Sequence, residues 1–73
     1  MRIVVIFGWN VGFQKVEFTK ILKSKLGYSL SESKVATDAV LDNQRIELQV
    51  QDSDLNEMLY KLNELGAKFV LDK

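Results

Sequence analysis

Two periods of apolar residues run along this chain, and the switch between them marks the elements. Ile3 to Phe7 is a continuous apolar run rich in β-branched residues, ended by Gly8. Such a run predicts a strand buried on both faces, and hence a central one. From Lys15 the period changes. Val16, Phe18, Ile21, Leu22 and Leu26 fall at helical spacing and predict one buried stripe. Lys15, Thr19 and Lys23 recur every fourth residue, which places them on the outer side of that helix. Gly27 suits the left-handed residue that ends a helix, because it has no Cβ to clash.

Ser29-Leu30-Ser31-Glu32 has the form of a capping box and predicts a second helix from Leu30 to Val40. That helix is expected to bury Val35, Ala36, Ala39 and Val40. Asp42-Asn43 marks a turn. From Gln44 to Val50 the period becomes two, with Ile46, Leu48 and Val50 on one side and Arg45, Glu47 and Gln49 on the other, as in a half-exposed strand. Asp52 or Ser53 is expected to cap a third helix whose buried stripe is Leu55, Met58, Leu59, Leu62 and Leu65. Gly66 ends it, and Ala67 to Leu71 predicts the last strand.

The order is β-α-α-β-α-β within a single domain, residues 1–73. One helix separates the second and third strands, so the right-handed crossover rule makes them parallel, with space between them for the first strand running antiparallel. The fold class expected is therefore α+β. It is a two-layer sandwich with three helices on one face of a three-stranded antiparallel sheet, strand one central. The other face must then show part of strand one, either Val4 and Ile6 or Ile3, Val5 and Phe7. An open apolar sheet face is a candidate contact surface.

The stretch from Lys15 to Lys34 resembles the C-terminal domain of the bacterial large-subunit ribosomal stalk protein. Lys15, Val16, Lys20, Gly27, Leu30, Glu32 and Lys34 match that family's pattern without a gap, and Lys23 stands where the family has Arg. The closing Leu65-Gly66-Ala67-Lys68 is similar to the family's helix end, so the resemblance covers nearly the whole chain. It implies the fold just derived. It also implies a two-helix corner that recruits translational GTPases, with Lys15, Val16, Thr19, Lys23, Leu30 and Lys34 as its contact face. Thr19 replaces an apolar Ile of that face, and Ser29 replaces a Gly. No counterpart of the stalk protein's dimerisation region or hinge is present, so a free-standing domain is expected. The same outline resembles the adaptor of the Clp protease that reads N-terminal degrons. Its pocket depends on an Asn-Asp-rich loop and a His, whereas this loop reads GWNVGFQ and the chain has no His.

Composition narrows the function. The chain has no Cys, His or Pro. A disulfide framework, thiolate or imidazole metal sites and the commonest general base are therefore missing. Asp52 and Asp54 are explained by helix capping, and Ser29, Ser31 and Ser33 sit at a helix start, so neither catalysis, a metal nor a cofactor is expected. The glycines of Gly8 to Gln14 do not form a phosphate loop, since no Gly-Lys-Ser/Thr follows. Trp9 and Phe13 in that loop either fold back on the core or form a secondary contact patch. No run approaches the ~20 apolar residues of a membrane span, and the default compartment is the cytoplasm.

Net charge is zero but unevenly spread. Residues 15–34 carry five Lys against two Glu, and residues 38–64 carry seven acidic residues against Arg45 and Lys61. This polarity predicts a non-catalytic module whose basic helical face meets a protein partner with an acidic or mixed surface. Two alternatives stand beside it. One is a homodimeric or inhibitory protein acting through the open sheet. The other is a weak binder of single-stranded nucleic acid through basic and aromatic residues, against which zero net charge argues.

Overall fold

The computed structural model describes residues 2–72. Strand β1 (Arg2–Trp9) leads into α1 (Lys15–Leu26) and α2 (Leu30–Leu41). Strand β2 (Ile46–Val50), a 3-10 turn (Asp52–Asp54), α3 (Leu55–Leu65) and β3 (Ala67–Asp72) complete the chain. The sheet order is β2-β1-β3, and β1 is antiparallel to both neighbours. The α+β two-layer sandwich with strand one central is the observed architecture. One face of the sheet supplies Val4, Ile6, Leu48 and Val50 to the core, where they meet Phe18 and Leu22 of α1, Val40 of α2, and Met58 and Leu62 of α3.

The open face carries Ile3, Val5 and Phe7. Val5 lies outside the core cluster yet is only 2% exposed. Glu47 and Val70 stand opposite it in register on the two neighbouring strands. Phe7 is the extra residue of a β-bulge, because Ile6 pairs with Phe69 while Gly8 pairs with Lys68. A bulge bends its strand and re-aims the residues after it. Here it carries the strand on through Trp9, which lies opposite Ala67 rather than in the expected loop.

Trp9 donates its indole N–H to the Leu41 carbonyl at 3.1 Å. The last carbonyls of a helix lack intrahelical partners, so this bond satisfies one of them and fastens the end of α2 to β1. Phe13 is half-buried against the core, with its ring 5.5 Å from Phe18 and 6.4 Å from Trp9. The amides of Asn10 and Gln14 donate to the Gly66 and Leu65 carbonyls at 2.8 and 3.0 Å. Gly66 itself is left-handed, and a Cβ there would meet the Phe13 backbone at 3.4 Å. Glycine thus serves both the helix end and the close approach of the loop.

Four local expectations need correction. Val16 and Val35 are 59% and 67% exposed, so neither belongs to a buried stripe. On α2 the buried positions besides Val40 are Ser33 and Thr37, and Thr37 faces Thr19 of α1. Thr19 is half-buried rather than on the outer side, because it faces Thr37 across the helix pair. Finally, the 3-10 turn moves the cap positions ahead of α3 to Gln51 and Asp54, neither of which makes a side-chain capping hydrogen bond.

Candidate functional site

The α1–α2 corner is set by two local devices. Gly27 is left-handed at φ 71°, and the amides of Gly27 and Tyr28 both reach the Leu22 carbonyl, closing α1. Ser29 then opens α2 with a complete capping box. Its amide donates to Glu32 Oε1 at 2.9 Å, and the Glu32 amide donates to Ser29 Oγ at 3.1 Å. Hydrogen bonds from Ser29 to the Glu32 carboxyl, from the backbone amide foremost and then from the side chain, hold it below its ordinary value. A carboxylate at this position also meets the positive end of the helix dipole.

With the corner fixed, the two helices enclose a cleft of about 450 Å3. Lys15, Val16, Thr19 and Lys23 line it from α1, and Leu30 and Lys34 from α2. The structure thus brings together all six residues singled out from the sequence. The reason is geometric: residues three, four and eight apart share one helix face, and the corner turns the two faces toward each other. Lys20, Thr37 and Asp38 complete the lining and were not among the six.

Val16 and Leu30, 59% and 51% exposed, supply an apolar centre. Four lysines surround it against the single carboxylate of Asp38. Lys20 lies 3.7 Å from Glu17, while Lys15, Lys23 and Lys34 make no ion pair among the described residues. An apolar centre within a cationic rim can desolvate a small contact while the lysines orient an anionic partner.

Beneath the lysines lies a polar seam. Ser33 Oγ donates to the Ser29 carbonyl at 2.8 Å, and Thr37 Oγ1 lies 2.8 Å from the Ser33 carbonyl. Thr19 Oγ1 lies 2.9 Å from the Lys15 carbonyl and 2.7 Å from Thr37 Oγ1. The sequence does carry the signal for this seam. Ser29, Ser33 and Thr37 recur every fourth residue, so small hydroxyls occupy one face of α2.

Trp9 and Phe13 do not line the cleft. Trp9 is 37% exposed and tied to α2, and Phe13 packs on the core. Among the described residues no group of three or more Asp and Glu converges as a metal site would require. No helix there is long and apolar enough to cross a membrane. Comparison with protein-family models, with curated proteins and with solved structures finds no match for this chain.

Proposed function

We propose that this domain is a non-catalytic protein-binding module that docks an acidic or mixed partner surface in the α1–α2 cleft. The resemblance to the ribosomal stalk domain makes a translational GTPase, or another ribosome-associated factor in the cytoplasm, the first partner to test. One observation carries the reading. Lys15, Val16, Thr19, Lys23, Leu30 and Lys34 surround a single cleft with an apolar centre and an excess of positive charge.

The test is an amide chemical-shift titration of labelled protein with an elongation-factor GTPase. The expected result is a set of shifts confined to residues 15–38, with affinity reduced on the order of tenfold by Lys34→Glu. No shifts at high micromolar GTPase would end the translational reading. Shifts elsewhere on the domain would end the cleft.

The exposed Phe7 and Val70 on the open sheet support a second reading, a homodimer or an inhibitory contact through that face. It ranks lower, because Val5 at the centre of the face is already covered within the monomer. A mass that rises with protein concentration would favour it. A steep dependence of single-strand affinity on salt would instead favour nucleic acid.

A further inference from the structure

Three contacts in the seam compete for two protons. Thr19 Oγ1 lies within hydrogen-bond reach of the Lys15 carbonyl and of Thr37 Oγ1. Thr37 Oγ1 lies within reach of the Ser33 carbonyl as well. Each hydroxyl has one hydrogen to donate. If both donated to their own helices, two oxygens would face each other at 2.7 Å with no hydrogen between them. One hydroxyl therefore donates along its helix and the other donates across. The carbonyls lose little either way, since in a regular helix each also accepts the amide four residues on.

The two threonines differ in access. Thr37 is 5% exposed, whereas Thr19 is half-buried and forms part of the cleft wall. An acceptor entering the cleft can take the Thr19 proton. Thr37 then turns its own proton onto Thr19 Oγ1, and no polar atom is left without a partner. A hydroxyl that accepts one hydrogen bond is a stronger donor in the next. The surroundings select the acceptor's charge, because Lys15, Lys20, Lys23 and Lys34 line the same cleft. Its shoulders, Val16 and Leu30, select for apolar groups beside the charge. Asp38 on the α2 wall limits how far an anionic stretch can extend.

We infer that the Thr19–Thr37 hydroxyl pair is a hydrogen-bonding subsite that takes the carboxylate of an aspartate or glutamate flanked by apolar residues on the docked protein. Thr19 donates to the carboxylate, and Thr37 is a positioning residue that donates to Thr19. This rests on the docking role assigned to the cleft.

The probes are the blocked peptide acetyl-Leu-Glu-Leu-amide and its glutamine counterpart, followed through the threonine methyl and backbone amide signals. The wild-type domain is expected to bind the glutamate peptide with shifts at Thr19 and Thr37, and the glutamine peptide roughly tenfold more weakly. Thr19→Val is expected to remove that preference, and Thr19→Ser to restore it. Thr37→Val is expected to weaken the glutamate peptide by about threefold. Thermal unfolding of each variant separates lost binding from lost fold. Equal affinity for the two peptides, or a Thr19→Val domain that keeps the wild-type preference, would overturn the subsite. If the GTPase still shifts the cleft of Thr19→Val with unchanged affinity, docking stands and the subsite falls. If neither GTPase nor peptide shifts the cleft, both fall.

Discussion

Helix α3 and the α1–α2 hairpin solve the problem of packing on the same sheet in different ways. In α3, Met58, Leu62 and Leu65 are buried, Leu55 and Leu59 pack beside them, and the charged residues Glu57, Lys61 and Glu64 face outward. Residue type and environment agree along most of the helix, with exposed Tyr60 the exception. The hairpin reverses part of that order. It leaves Val16, Leu30 and Val35 in solvent and buries Ser33 and Thr37. Single exposed apolar residues are ordinary on a protein surface. Two of these three, however, share one cleft with four lysines, and the buried Thr37 hydroxyl meets Thr19 in the wall of that cleft. Where a sequence departs from the local rules of stability, the departure points to a demand other than stability. Helix α3 thus shows no such departure, whereas the hairpin gives Phe18, Leu22 and Val40 to the core on one side and carries the candidate contact on the other.

The strongest way to break this comparison is to truncate one leucine in each region. Leu62 is fully buried, so Leu62→Ala loses its transfer energy and leaves a cavity, a cost of about 2–5 kcal/mol. In a domain this small, that approaches the entire stability. Leu30→Ala removes a side chain that is half in water, and its cost should stay within about 0.5 kcal/mol. Urea unfolding of the two variants measures both. If Leu30→Ala cost as much as Leu62→Ala, the cleft face of the hairpin would be core and the comparison would be wrong.

The same contrast explains what could be read from the sequence. The stripe of α3, the capping box at Ser29 and the left-handed glycines at 27 and 66 are local patterns with one physical solution each, and all are found where the sequence placed them. The strand order came from connection length and handedness, and it too is observed. Helical spacing of apolar residues predicts burial of Val16 and Val35, but both lie at the edge of their stripe, where spacing does not reveal whether a neighbour covers them. Gly8 and Gly12 in the sequence predict a loop that includes Trp9. Only the pairing with β3 shows that a bulge at Phe7 carries the strand through it. The six cleft residues are implied by the resemblance to the ribosomal stalk domain, and helical spacing explains why they share matching faces. The Thr19–Thr37 pair depended on how the two helices meet, which a one-dimensional pattern does not contain.

Helix α2 depends on its cap more than α3 does, which sharpens the comparison at a smaller scale. A helix without a clean apolar stripe gains less from packing, so its terminal hydrogen bonds weigh more. Ser29→Ala breaks the capping box and should cost about 1 kcal/mol. Asp54→Ala should cost less, because Asp54 makes no side-chain capping bond to α3. Chemical denaturation of both variants checks the order, and the reverse order would mean that α3 is the cap-dependent helix. The cap also gives α2 a sensitivity to acid. Glu32 titrates below its ordinary value in the fold, so its contribution is present above that value. It is lost as pH falls through the folded pKa.

The smallest effect lies where the two regions touch. Lys25, in the last turn of α1, forms an ion pair with Glu57 in the first turn of α3. The hydrogen bond between them, and then their mutual charge, hold Glu57 below 4.5 and Lys25 above 10.5, their ordinary values. Both signs come from linkage. Glu57 stabilises the fold above its unfolded pKa and ceases to do so as pH falls through its lowered folded value. Lys25 stabilises below its unfolded pKa and ceases to do so as pH rises through its raised folded value. The pair therefore contributes between these limits, and weakly, because both groups lie at the surface where water and salt screen them. A double-mutant cycle with Lys25→Met and Glu57→Gln isolates the coupling from each residue's other contacts. The coupling should be favourable at neutral pH and low salt, shrink in high salt, and vanish once Glu57 is protonated. A coupling that persisted in acid would have to come from packing of the aliphatic stems. The tie between hairpin and α3 would then be apolar, and the two regions would be less separable than their sequences suggest.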